Sequence, residues 1–190
     1  MTLGNNDPSK RGTDRQVAVL IDFENVGLDA IQWLFDQVSD VGRIIVKRAY
    51  ADWSDARNKR DRLLELGIEP IHLFISGSGK NSSDIRLAID AVELLYQSPV
   101  DTFVVVSSDA DFVPLVSKLR SAGKVVFGAG RKAAASRTLV RSCDRYFYID
   151  QREKLETKIH ATESEVDGLL VRAIKTAMDE QGRVLGSKLY

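Results

Sequence analysis

Residues 102–112 read Thr-Phe-Val-Val-Val-Ser-Ser-Asp-Ala-Asp-Phe, an apolar run that ends abruptly in serines and acids. An earlier run, Val17-Ala-Val-Leu-Ile21, is likewise followed at once by Asp22. Continuous hydrophobicity without alternation is typical of strands that are buried on both faces. Such strands belong to parallel sheets that are covered by helices, so these two stretches predict an α/β fold.

Short apolar runs alternate with helical stretches along most of the chain. The predicted strands are 17–21, 44–50, 70–75, 102–106, 125–127 and 146–149. The predicted helices are 27–39, 54–66, 83–96, 111–122 and 133–142. We expect a Rossmann-like three-layer sandwich with a central parallel sheet and with its functional loops at the carboxyl ends of the strands.

Composition excludes several classes of protein. The 190 residues are 44% hydrophobic, which is enough for a core, and 27 basic residues balance 27 acidic ones. Residues 1–16 are polar and predict a flexible tail rather than a signal peptide, and no apolar run is long enough for a membrane helix. With one cysteine and two histidines, the chain has no disulfide pair and hardly any basis for a Cys/His zinc site. We therefore expect a cytoplasmic protein whose metal chemistry, if it has any, uses carboxylates.

Charge is unevenly distributed along the sequence. Between positions 84 and 111, six acids face one arginine. Between positions 118 and 145, one acid faces eight cations, which are Lys118, Arg120, Lys124, Arg131, Lys132, Arg137, Arg141 and Arg145. An acidic cluster followed by a basic one favours an acidic site beside a surface for a polyanion, although the alternative is a solvated helix face.

Four aspartates are candidates for chemistry. Asp22 follows the first strand, Asp109 and Asp111 follow the fourth, and Asp84 opens the third predicted helix. Paired carboxylates repel each other, so they make most sense around a divalent cation. The alternative is helix capping, with Asp111 as the cap of the helix that contains Pro114, and capping accounts for only one acid of that pair. Asp90, by contrast, is expected to be structural and to pair with Arg86.

Two glycine loops imitate nucleotide-binding motifs. Ser76-Gly-Ser-Gly-Lys80 lacks the first glycine of the Walker pattern and has Asn81 in place of the Ser or Thr. Gly128-Ala-Gly130 follows the fifth strand and does not open a fresh βαβ unit. We expect neither loop to bind a nucleotide cofactor, although both could approach a backbone phosphate, which Lys80 could reach.

The C-terminal part of the sequence has a different character. Residues 151–162 are charged and predict a linker, and residues 163–180 repeat apolar side chains with helical spacing. The stretch 163–190 is too small to fold alone, so we expect it either to pack on the α/β domain or to be the start of a longer module.

Residues 17–150 resemble the NYN domain, a branch of the PIN-like nucleases. The resemblance rests on an ordered set of motifs: Asp22-Phe-Glu-Asn25, Lys80 through Asp84, Ser107-Ser-Asp-Ala-Asp-Phe112, the Gly128 loop and Cys143-Asp-Arg-Tyr-Phe-Tyr-Ile149. It implies a PIN-like fold and a ribonuclease dependent on Mg²⁺ or Mn²⁺, with Asp22, Asp84, Asp109 and Asp111 as catalytic residues and metal ligands. Where the family often has Ser-Gly-Asp-Ser-Asp, this chain has Ser108 and Ala110. Residues 163–190 are similar to the opening of a LOTUS (OST-HTH) module, whose family role is RNA or protein interaction.

Two functions follow as hypotheses. The first is a metal-dependent endoribonuclease that hydrolyses single-stranded RNA, and the alternative is a catalytically weak RNA-binding adaptor. An aspartyl phosphatase is a distant third, because such an enzyme has Asp-x-Asp after the first strand, where this chain has Asp22-Phe-Glu24. A homodimer is left open, and a membrane partner is not expected. The residues expected to bind substrate are Asn25, Lys80, Ser107, Ser108, Arg131, Lys132 and Arg137.

Overall fold

The computed structural model describes residues 15–23, 26, 28–54, 59–73 and 81–150. Its strands are β1 (Gln16–Asp22), β2 (Arg43–Ala51), β3 (Glu69–His72), β4 (Thr102–Val106), β5 (Val125–Gly130) and β6 (Arg145–Tyr148). Its α-helices are α1 (Leu28–Ser39), α2 (Arg60–Glu65), α3 (Ser82–Gln97), α4 (Val113–Ser121) and α5 (Arg137–Ser142). A 3-10 turn, Ala110–Phe112, precedes α4.

The six described strands form one parallel sheet in the order β3-β2-β1-β4-β5-β6. The chain starts in the middle with β1, moves outward to β3, and then crosses back to β4 on the other side of β1. The direction of winding therefore reverses between β1 and β4. In open α/β sheets, the crevice at the carboxyl ends of two such strands is where ligands bind.

The core has two layers, one on each face of the sheet. In β1, Val17, Val19 and Ile21 pack with side chains of α1 and α2. The alternate residues Ala18 and Leu20 pack with α3, α4 and α5. Because successive side chains of a strand point to opposite faces, this division confirms the three-layer α/β sandwich expected from the sequence.

Helix α5 is shorter than the 133–142 predicted for it. The three alanines before it have high helix propensity, yet they lie in a turn in which Ala134 and Ala135 donate their N–H groups to the Arg131 carbonyl, at 3.1 and 2.9 Å. Ser136 is extended, and its N–H donates to the Ser108 carbonyl at 3.1 Å. This tertiary hydrogen bond overrides the local preference and delays the helix to Arg137.

A buried ionic cluster joins α3 to β2. Asp90 is 1% exposed and accepts a hydrogen bond from the Tyr50 hydroxyl at 2.9 Å. Its carboxylate lies 3.0 Å from Arg86 Nε and 3.4 Å from Arg48 Nη1. Burial, together with the Asp90 carboxylate, raises the pKa of Tyr50. The structural role and the Arg86 pair expected for Asp90 are confirmed, and the cluster fixes the position of α3 on the sheet.

The described part of the chain ends at Asp150. None of the helices in this part is both long and apolar enough to cross a membrane. The predicted tail before position 15, the linker 151–162 and the LOTUS-like segment 163–190 lie outside the described residues. So do positions 55–58 of the second predicted helix and positions 74–75 of the third predicted strand.

Candidate active site

The candidate site lies at the carboxyl ends of β1 and β4, where the winding of the sheet reverses. The two strands pair in parallel with Ile21 opposite Val106. The next residues, Asp22 at the last position of β1 and Ser107 directly after β4, therefore lie side by side. Both are buried, although they are polar.

A chain of hydrogen bonds organises the loop after β4. The Ser107 hydroxyl donates to Asp22 Oδ2 at 3.0 Å and accepts the Asp109 N–H at 3.2 Å. The Asp109 carboxylate in turn accepts the Asp111 N–H at 3.0 Å. Three of the four predicted acidic residues thus belong to one connected network, with Ser107 at its centre.

The fourth acid, Asp84, lies on α3 and faces a groove shared with Asp111. The groove has a volume of about 380 Å³. Its lining combines the two acids with apolar side chains and one cation, and it includes Asn81, Ile85, Ala88, Val92, Phe112, Pro114, Leu115 and Lys118. Asp84 occupies the first turn of its helix, where the positive end of the helix dipole favours a carboxylate.

The capping alternative applies to a different aspartate from the one expected. Asp109, not Asp111, caps the 3-10 turn, because its side chain accepts the Asp111 N–H. Asp111 is exposed at the groove. The capping role therefore leaves the Asp111 carboxylate available for other chemistry.

The acidic residues supply oxygen donors suited to a hard cation. Within the described ranges, however, no three His, Cys, Asp or Glu side chains are close enough to hold one metal ion together. Mg²⁺ commonly retains several waters and binds through one or two carboxylates and the substrate phosphate. The donor set therefore fits Mg²⁺ or Mn²⁺ in chemical type, and a shared site for all four aspartates stays a prediction.

The Ser107–Ser108 loop is held from the β5 and β6 side. The Tyr146 hydroxyl donates to the Ser107 carbonyl at 2.9 Å. Burial raises the pKa of Tyr146 to about 12, against a smaller opposing effect of Ser108. Gly130 leaves the room for this contact, since a Cβ there would lie 2.4 Å from Tyr146 Oη and 2.6 Å from Ser108 Oγ.

Two cations, Arg131 and Lys132, lie on the connection from β5 to α5, and a third, Arg137, is the first residue of α5; we call these three residues the basic loop. All three are exposed. The hydrogen bond from Ser136 N–H to the Ser108 carbonyl attaches this loop to the one after β4. Arg120, from the same basic run of the sequence, instead pairs with Asp144 at 2.9 Å. The basic run thus divides into a part that is paired within the protein and an exposed part on the segment attached to the loop after β4.

The other predicted site residues have varied locations. Ser107 is 2% exposed and its hydroxyl bonds within the protein, whereas Ser108 is half-buried. Asn25 and Lys80 lie outside the described residues. Sequence reasoning missed the contact of Tyr146 with the Ser107 carbonyl and the space that Gly130 leaves for it. The spacing Gly128-x-Gly130 at the end of a buried strand is the one signal that could have pointed to a close approach.

Comparison with known proteins places this architecture. The NYN domain family matches residues 16–150, nearly the whole described part of the chain. The chain belongs to the NYN domain family. An uncharacterised protein of Methanocaldococcus jannaschii, MJ0482, is 30% identical over 161 residues, which cover 78% of this chain and 63% of that protein. The chain thus spans less than two thirds of the length of this relative.

A solved structure agrees with the fold of this NYN domain. VPA0982 from Vibrio parahaemolyticus, described as a protein of unknown function, superimposes with a TM-score of 0.62 at 25% identity. The match covers 72% of this chain and 93% of the other. NYN domains belong to the PIN-like nuclease superfamily.

Proposed function

We propose that this NYN domain is a divalent-metal-dependent ribonuclease that hydrolyses single-stranded RNA at the carboxyl edge of its sheet. The observation that supports the proposal most is the network Asp22–Ser107–Asp109–Asp111 at the reversal point between β1 and β4. The hydrogen bond from Ser107 offsets part of the cost of burying the Asp22 carboxylate, so this acid is held in position at the sheet edge before any ligand binds. Structural capping accounts for Asp109 alone.

The aspartates would divide the work. Asp84 and Asp111 face the groove and would bind the cation, while Ser107 would hold Asp22 and the Asp109 backbone in place. A bound divalent cation supplies two things, an activated water and neutralisation of charge on the phosphate. The protein's part is to orient these carboxylates before the RNA arrives, which avoids reorganisation during the reaction.

The basic loop would bind the RNA backbone. An acidic crevice repels phosphates, so a polyanionic substrate needs cations next to it. The proposal is supported by the exposure of the basic loop and by its attachment, through the Ser136–Ser108 hydrogen bond, to the loop after β4. Contacts of this type position the substrate without reading its bases.

The direct test is cleavage of a single-stranded RNA in Mg²⁺ or Mn²⁺, with EDTA as the metal-free condition. Asp111→Asn should lower the rate by at least about a hundredfold, because it removes a charge that stabilises the cation at the reacting phosphate. Asp40→Asn is the matched control, since Asp40 is exposed in the turn after α1, at the opposite edge of the sheet. Equal rates for the wild type and Asp111→Asn would refute the assignment.

The second candidate, an RNA-binding adaptor with little turnover, is favoured by one observation. The described residues contain no group of three metal-ligating side chains. The same assay separates the two candidates. RNA binding that persists in EDTA, without cleavage in either metal, would identify the adaptor.

A further inference from the structure

Three aromatic side chains lie together at the carboxyl ends of β1, β2 and β3, and we call them the aromatic cluster. Phe23 follows β1, Trp53 follows β2, and His72 is the last residue of β3. The ring centroids of Phe23 and Trp53 are 4.8 Å apart, with the rings inclined by 44°. Because Phe23 directly follows Asp22, the aromatic cluster adjoins the hydrogen-bonded network of the candidate site.

The Trp53 side chain is held in place by hydrogen bonds to β3. Its indole N–H donates to the Ile71 carbonyl at 3.0 Å, and its backbone N–H donates to His72 Nδ1 at 3.1 Å. The Asp52 carboxylate accepts the Ser54 N–H at 2.9 Å and so closes a turn around Trp53. The ring is therefore ordered before any ligand arrives, which lowers the entropic cost of binding.

The exposed part of Trp53 offers a ligand its ring surface. The side chain is half-buried, and its one hydrogen-bond donor is already bonded to the Ile71 carbonyl. Contact with the indole is therefore through its π system. Rigid aromatic rings beside a single-stranded nucleic acid stack on its bases, and every base has a face that can take part.

The charges around the aromatic cluster favour a base over a phosphate on Trp53. Asp52 is exposed directly before Trp53, and its negative charge repels a phosphate from this position. Lys59 is exposed, and its Nζ lies 5.2 Å from the centroid of the Phe23 ring. A neutral planar group thus fits the Trp53 ring, while a cation for a neighbouring phosphate lies within the same cluster.

From these observations we infer that Trp53 stacks on one base of single-stranded RNA beside the acidic site. The inference rests on the proposed function for its choice of RNA as the ligand. In the sheet, β2 and β5 flank β1 and β4, so the aromatic cluster and the basic loop lie on opposite sides of the acids. At about 4.8 Å per strand, β2 and β5 are roughly 14 Å apart. An RNA strand that crosses this edge is held by a base on one side and by its phosphates on the other.

Tryptophan fluorescence tests the stacking directly, because the chain has two tryptophans. Trp33→Phe leaves Trp53 as the single reporter, and a single-stranded oligoadenylate of about ten nucleotides should quench its emission. The titration is made in EDTA, where no metal-dependent cleavage interferes, and is repeated in Mg²⁺ by rapid mixing. Trp53→Phe, which leaves Trp33 as the reporter, should show no quenching. An abasic oligomer of the same length should bind the basic loop without quenching Trp53.

The RNA dissociation constant gives a second measurement. Trp53→Leu should raise it about 5–150-fold, which corresponds to the loss of one base–aromatic stack. Trp33→Leu is the matched control, because Trp33 is also half-buried and packs on the same core layer as Trp53. It should leave the dissociation constant unchanged. Trp53→Phe keeps a ring and should restore most of the affinity that Trp53→Leu loses. The fluorescence titration retains Trp53, so it does not depend on how well Trp53→Leu folds.

The outcomes separate the stacking from the proposed hydrolysis. RNA that binds without quenching Trp53 would overturn the inference and leave the ribonuclease proposal intact. So would equal dissociation constants for Trp53→Leu and Trp33→Leu, or quenching by the abasic oligomer as strong as that by RNA. Quenching of Trp53 without cleavage in either metal would support the stacking and refute the hydrolysis. A wild type that binds no RNA would refute both.

Discussion

Replacing Ser107 with alanine removes the atom that links Asp22 to the loop after β4. The change deletes a hydrogen bond of 3.0 Å to a buried carboxylate and one of 3.2 Å from the Asp109 N–H. Hydrogen bonds to charged groups contribute about 1.5–3 kcal/mol, and the Asp22 oxygen would lose a partner inside the protein. We expect the free energy of unfolding to fall by about 2–3 kcal/mol.

This loss is large enough to measure by thermal unfolding. For a chain of this size, 1 kcal/mol corresponds to about 2–4 °C, so the melting temperature should fall by roughly 4–12 °C. The cleavage rate should fall by about 10–100-fold, as it does when other groups that orient metal ligands are removed. Ser107 itself does not touch the substrate in this account, so the RNA dissociation constant should change little.

Ser121→Ala is the matched control for this prediction. It removes an exposed hydroxyl that bonds the Lys118 carbonyl within α4, at 2.8 Å. A surface change of this kind should cost no more than about 0.5 kcal/mol. If Ser107→Ala melts and cleaves like Ser121→Ala, the network does not organise the site and the reasoning fails.

Three further predictions concern the surroundings of the site. Gly130→Ala should displace the Tyr146 hydroxyl from the Ser107 carbonyl and lower the free energy of unfolding by about 1–3 kcal/mol, as overpacking does. An unchanged melting temperature and cleavage rate would contradict this prediction. Tyr146→Phe should lower the free energy of unfolding by about 1 kcal/mol at neutral pH. Because the pKa is about 12 in the folded state, against about 10 for an ordinary tyrosine, the wild type should lose stability as the pH rises from 10 to 12. Urea unfolding should therefore show that the difference in free energy of unfolding between the wild type and Tyr146→Phe shrinks over that pH range. A constant difference would refute the raised pKa of Tyr146. Replacing all three cations of the basic loop with alanine should weaken binding to unrelated RNA sequences and flatten the log–log plot of RNA affinity against salt concentration by a slope of about 2. An unchanged slope would show that these cations are only part of the solvated surface.

The fold was predictable because its central strands are buried on both faces. Runs such as 17–21 and 103–106 are apolar at every position, a pattern that points to a covered parallel sheet without any knowledge of strand order. The order itself depends on contacts between distant residues, which local patterns do not record. The start of α5 was mispredicted for the same reason, since the Ser136–Ser108 hydrogen bond joins two segments far apart in the chain.

The position of the candidate residues in the fold was predictable, but the hydrogen bonds between them were not. A polar segment that follows a buried strand must emerge at the carboxyl edge of the sheet, and this rule predicted that Asp22 and Asp109 lie there. It could not tell which aspartate caps the 3-10 turn, because that depends on the backbone angles of the loop. Nor could it find Tyr146 of β6, whose hydroxyl reaches the Ser107 carbonyl past β5, the strand between β6 and β4.

The most direct test of the central claim is whether Asp84 and Asp111 bind a divalent cation. Thermal unfolding with and without Mn²⁺ measures this binding independently of cleavage. At a concentration a hundred times the dissociation constant, binding adds about 2.7 kcal/mol, which corresponds to a rise of roughly 5–11 °C in the melting temperature. The account predicts this rise for the wild type and its loss in the Asp84→Asn/Asp111→Asn double variant. An equal rise in both proteins, or none in the wild type, would contradict it.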